Sequence, residues 1–160
     1  MNTPNLLNAI RIAKENEETA MKTYANAARR KKNEVCEELF VQLSEFEKFH
    51  LERLTDLEKN LAEKGDFINY EGKEFMLPPK LKVEFARKAD QLSLMEIITE
   101  ARKTERQAEK TYATLAAHLA DVRGHEMFVR LSEEEHNHYL ILTEAFWSIN
   151  QTGVWKGPQK

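Results

Sequence analysis

Two stretches decide the fold: FVQLSEFEKFH at residues 40–50 and FVRLSEEEHNH at residues 128–138. They lie 88 positions apart, and the same offset carries EETAMKTYANAA (17–28) onto ERQAEKTYATLA (105–116). Aligned without a gap, residues 6–55 and 94–143 are identical at 20 of 50 positions. Unrelated chains would share roughly one position in fifteen, so the chain is internally duplicated. A period this long, present only twice, is not a solenoid. It predicts two helical hairpins related by a pseudo-twofold axis.

Working outward, four apolar stripes recur at gaps of three and four residues, the rhythm of a bundle seam. The first is Leu6, Ile10, Ala13, Glu17, Ala20, Tyr24 and Ala27. The second is Phe40, Leu43, Glu47, His50, Leu54, Leu57 and Leu61. The third is Leu94, Ile98, Ala101, Glu105, Ala108, Tyr112, Leu115 and Leu119, and the fourth Phe128, Leu131, Glu135, His138, Leu142, Ala145 and Ile149. Asn33 and Ser93 suit the N-caps of the second and third helices, Gly65 a helix stop, and Gly124 the turn between the third and fourth helices. Short turns make each pair an antiparallel hairpin. Residues 65–92, with Gly65, Gly72, Pro78 and Pro79, are too long for a tight turn. They predict a long crossover, with a short helix near 79–89. The fold expected is all-α: a four-helix bundle over 1–150 from two duplicated hairpins, with a tail at 151–160 that is either loose or docked through Trp155.

Each seam turns polar at its middle. The first and third helices place Glu17 and Glu105 there; the second and fourth place Glu47 with His50 and Glu135 with His138. Residues three apart on a helix sit roughly 60° apart on one face. Four carboxylates would therefore meet in a dry core. A buried unpaired carboxylate costs several kcal/mol, and neighbours repel. Protonation relieves part of this, and no seam position is Lys or Arg. Two divalent cations would match four carboxylates, with neutral imidazoles as nitrogen ligands. Oxygen and imidazole donors without thiolate suit iron or manganese, and zinc is compatible. The competing reading is a polar layer that only sets register.

These motifs, Glu17-x-x-Ala-x-x-x-Tyr24, Glu47-x-x-His50, Glu105-x-x-Ala-x-x-x-Tyr112 and Glu135-x-x-His138, resemble the rubrerythrin-like branch of the ferritin-like di-iron carboxylate superfamily. The resemblance covers roughly residues 5–150. It implies that Glu47 and Glu135 bridge two metals, that Glu17 and Glu105 are terminal ligands, and that His50 and His138 each bind one metal. It implies oxidation chemistry: reduction of hydrogen peroxide or dioxygen, or oxidation of ferrous iron. The alternative is an iron-binding or storage protein without dedicated turnover. A homodimer is implied by resemblance alone. Two features depart from rubrerythrins. Their further carboxylate one turn after the third-helix Glu is Ala108 here. Paired Cys-x-x-Cys motifs are absent, leaving a separate protein or the substrate as electron donor.

The remaining features bound the partners. A net charge of -3 offers no electrostatic reason to expect nucleic acid or an anionic membrane. No apolar run spans a bilayer, and MNTPNLLNAIRIAKENEE lacks a signal-peptide shape, so a cytoplasmic location is the default expectation. Cys36 stands alone and reads as a small helix residue. Tyr24 and Tyr112, one heptad beyond their Glu, are either core packing or hydrogen-bond donors to a ligand carboxylate. His118, His125 and His136 lie off the seams and read as surface residues. Glu45 and Glu133 are either solvated or in contact with a ligand His.

Overall fold

In the computed structural model, residues 1–30, 34–76, 83–84 and 88–155 are described. Four long helices account for most of them: α1 (Thr3–Arg29), α2 (Glu34–Lys64), α3 (Lys88–Ala117) and α4 (Val122–Thr152). Local chemistry sets their ends. Asn2 caps α1, its side chain accepting from the Asn5 amide at 3.0 Å, and Pro4 sits in the first turn where its missing N–H is not needed. Asp121 caps α4 by accepting from the Gly124 amide at 3.0 Å. Gly65 ends α2 in the left-handed conformation, φ 67°, and its N–H reaches the Leu61 carbonyl.

Side-chain pairings fix the directions. Tyr24 meets Glu105 while Tyr112 meets Glu17, so α1 and α3 run antiparallel. His50 meets Glu134 while Phe46 meets His138, so α2 and α4 do too. With α1 antiparallel to α2, the connection after α2 must climb the full height of the bundle. The expected long crossover is therefore present, and the chain is an all-α four-helix bundle.

The described part of the crossover lies along the groove between α2 and α4. Phe67 packs against Gly124, where a Cβ would stand 2.5 Å from the ring. Tyr70 and the Lys73 amide bind Glu134, Phe75 stacks on Phe46 with centroids 5.6 Å apart, and Met76 exchanges hydrogen bonds with Gln42. Further on, β1 (Val83–Glu84) pairs antiparallel with β2 (Val154–Trp155), Val83 opposite Trp155. Trp155 is buried, so the segment after α4 is docked as far as that residue.

Apolar stripes become two core clusters. One contains Tyr24, Phe40, Leu43, Ile98, Leu142 and Trp155; the other contains Ile10, Leu54, Leu57, Tyr112, Phe128 and Leu131. Each fully buried large aliphatic or aromatic side chain contributes about 1.5–3 kcal/mol. The polar seam residues form the layer between the clusters.

Several local expectations are corrected. Ser93 is inside α3, not at its cap; the helix begins at Lys88 with Asp90 in its first turn, where a carboxylate complements the helix dipole. Gly124 lies in the first turn of α4, kept small by Phe67. Val83–Glu84 is a strand, so no helix runs through 79–89; the other residues from 79 to 87 lie outside the described part, as does Asn33. At the end of the α1 stripe Ala28, not Ala27, is buried. Among the described residues, no helix is long and apolar enough to cross a membrane.

Candidate metal centre

All six seam residues converge. Glu17, Glu47, His50, Glu105, Glu135 and His138 are each at most 3% exposed. Two donor sets form, Glu17/Glu47/His50/Glu135 and Glu47/Glu105/Glu135/His138, and within each the donor atoms lie within 4.8 Å of one another. The sets share Glu47 and Glu135. The His50 Nδ1 atom is 3.1 Å from Glu135 Oε1 and 3.6 Å from Glu47 Oε2. Correspondingly, His138 Nδ1 is 3.2 Å from Glu135 Oε2 and 3.8 Å from Glu47 Oε1. Each shared carboxylate thus turns one oxygen toward each imidazole. Glu17 Oε2 stands 3.7 Å from His50 Nδ1, and Glu105 Oε2 3.3 Å from His138 Nδ1.

The protonation pattern records how much charge is crowded together. Burial pushes the Glu47 carboxyl well above the usual range, with repulsion from Glu135, Glu17 and Glu105 adding to it. Burial and Glu135 raise Glu105 to about 8. For His50, burial favours the neutral ring, but Glu135, Glu134 and Glu17 outweigh it and raise the imidazole well above its usual value. His138 is raised to about 9, its burial overcome by Glu105 and Glu135. Glu135 goes the other way, burial being outweighed by His50 and His138, which hold it well below the usual carboxylate range. Without metal, then, protons partly neutralise the cluster.

A direct test of fit is the buried Glu47 Oε1 atom, which has no hydrogen-bond partner among the described residues. Such an atom costs about 1–3 kcal/mol. It lies in the second donor set, so a cation there would satisfy it. Four carboxylates and two imidazoles fit two divalent cations in charge and in hard and borderline donor type.

Both tyrosines serve this layer. Tyr24 donates to Glu105 Oε1 at 2.5 Å and Tyr112 donates to Glu17. Each orients one carboxylate across the α1–α3 boundary. Glu134 is a functional residue that seam reading missed: buried, it accepts from His50 Nε2 at 2.9 Å. Burial disfavours its charge, but His50, Tyr70 and the Lys73 amide hold the carboxyl below its usual range. Glu45 and Glu133 are exposed and do not touch either ligand His. His118 and His125 are exposed, and half-exposed His136 pairs with Glu109 at 3.2 Å. Cys36 is buried, its thiol pushed up to about 12 by burial.

The crossover covers the α2–α4 side. Between α1 and α3 a cleft of about 810 Å³ descends past Ala13, Ala20, Ala101 and Ala108 to Glu17, Glu47, Glu105 and Glu135. Ala108 is one of the small side chains lining this cleft.

Residues 1–58, spanning α1 and most of α2 with Glu17, Glu47 and His50, match the family model described as Rubrerythrin. That part of the chain is similar to rubrerythrin. The match covers most of the first hairpin, and the pattern of that hairpin is repeated by the duplication in the second, down to Glu105, Glu135 and His138. No curated protein and no solved structure matches the chain.

Proposed function

We propose that this rubrerythrin-like chain is a di-iron carboxylate oxidoreductase that reduces hydrogen peroxide or dioxygen, or oxidises ferrous iron. The observation carrying the proposal is the pair of donor sets that share Glu47 and Glu135, each acid offering one oxygen to His50 and the other to His138. Glu47 and Glu135 would bridge the ions, Glu17 and Glu105 would be terminal, and each imidazole would bind one ion through Nδ1. Two ferrous ions held there supply two electrons, the number needed to convert peroxide and two protons into two waters.

The chain's own residues set the conditions for that chemistry. Tyr24 and Tyr112 fix the terminal carboxylates through their O–H groups. On the covered face the Phe46 and Phe75 rings lie against His138 and keep water from the rear. Small residues of the α1–α3 cleft leave a path for a small oxidant. Loading with metal must displace the protons held on Glu47, Glu105 and the imidazoles.

The test has two parts. Metal analysis of the chain reconstituted anaerobically with Fe2+ should give two ions per chain. Rapid mixing with hydrogen peroxide and with dioxygen should oxidise them faster than free Fe2+. Two bound ions with no such acceleration would replace the enzyme proposal with iron binding or storage.

A further inference from the structure

All six cluster residues have identical counterparts at the 88-residue offset. The residues immediately before the two shared acids do not: Phe46 precedes Glu47, and Glu134 precedes Glu135. Each of these faces the imidazole of the opposite repeat. Glu134 accepts from His50 Nε2 at 2.9 Å, whereas Phe46 presents an edge-on ring to His138 with centroids 4.5 Å apart. The duplication is therefore broken at a position that contacts the opposite ring in each repeat.

This difference acts on the nitrogen that would bind metal. In the neutral ring that a metal would take, a carboxylate on Nε2 fixes that nitrogen as the N–H and leaves Nδ1 bare toward Glu17, Glu47 and Glu135. Glu134 is itself held firmly. Tyr70 donates to it at 2.5 Å, the Lys73 amide at 2.7 Å, and Arg130 pairs with it at 3.4 Å. His50 is thus preset in ring angle and tautomer by the crossover. His138 lies against Phe46 and Phe75, and its buried Nε2 has no hydrogen-bond partner among the described residues. Among the described residues nothing holds this Nε2 as the N–H, so the tautomer with Nδ1 bare is not selected from behind the ring.

We infer that the two metal positions are unequal: the one beside His50, backed by Glu134, is the tight resident position, and the one beside His138 is the exchangeable position. Glu134 is a positioning residue, acting through His50. The inference rests on the metal-binding part of the proposed function and concerns which ion stays and which leaves.

The test is an anaerobic Co2+ titration of the metal-free chain, followed by visible absorption. The wild-type chain should bind in two steps at least about tenfold apart. Glu134→Gln should weaken the tighter step by roughly 10–100-fold, the range for loss of such a partner, and leave the weaker step in place. Tyr70→Phe, which loosens Glu134 without touching a ligand, should weaken the same step by less and serves if Glu134→Gln does not fold. His138→Ala should abolish the weaker step and spare the tighter. Two equal wild-type steps, or a Glu134→Gln effect shared by both steps, would overturn the inference while leaving metal binding intact. Failure to take up Co2+ at all would remove the metal-binding reading beneath it.

Discussion

Replacing Glu47 by Met should move stability in opposite directions with and without metal. Glu47 is 2% exposed, its Oε1 atom lacks a partner, and Glu17, Glu105 and Glu135 all repel its charge. Met fills nearly the same volume without a polar atom. Removing one unsatisfied buried group should gain the metal-free chain about 1–3 kcal/mol. For a chain of this size that raises Tm by about 2–4 °C per kcal/mol. The loaded wild-type chain gains about 2.7 kcal/mol from each site at a ligand concentration one hundred times Kd. A variant lacking a shared ligand should lose most of that gain at both positions. Thermal unfolding followed by far-UV circular dichroism, in chelator and in excess anaerobic Fe2+, reads both signs. A Glu47→Met chain that melts lower than wild type in chelator, or that keeps the full metal response, would refute the claim that this acid is retained for a cation.

Other consequences follow from neighbouring groups. His138, raised from 6.5 to about 9, stabilises the metal-free fold fully below pH 6.5 and ceases to do so as pH rises through 9. Glu105, raised from 4.5 to about 8, acts in the same direction over a lower range. Urea unfolding of the metal-free chain should therefore show stability falling as pH is raised through 8 to 9, and the metal-loaded chain should not share this fall. Gly124→Ala would put a Cβ 2.5–2.9 Å from the Phe67 ring, costing about 1–3 kcal/mol; the cost should shrink in a Phe67→Ala background, measured by a double-mutant cycle. Ala108→Phe should narrow the α1–α3 cleft, slowing peroxide oxidation of the loaded chain while metal stoichiometry stays at the wild-type value.

The bundle and the convergence of the six polar residues were legible because both are periodic. A duplicated heptad stripe names the face of each helix, and a Glu-x-x-His pair on that face must point inward. Glu134 escaped because it lies one residue off the seam and has no counterpart in the first repeat, where Phe46 stands. The only hint was the triple acid at 133–135, of which spacing puts Glu135 alone on the seam. Tyr24 and Tyr112 were placed correctly on the seam, but whether their hydroxyls had partners depended on the antiparallel course of α1 and α3. The crossover's contacts through Phe67, Tyr70 and Phe75 follow no helical period, so pattern reading could not place them. Ser93 and Gly124 misled for a common reason: capping and turn preferences amount to about 1 kcal/mol, and packing by neighbours outweighs them.

The small ladder between Val83–Glu84 and Val154–Trp155 bears on the order of assembly. Each hairpin joins sequence neighbours, so its contacts close short loops and can arise early. This ladder instead connects the chain's middle to a point beyond α4, and it can zip only when both halves are already aligned. It works as a latch, and protection of its amides from hydrogen exchange would be a late signature of the finished architecture.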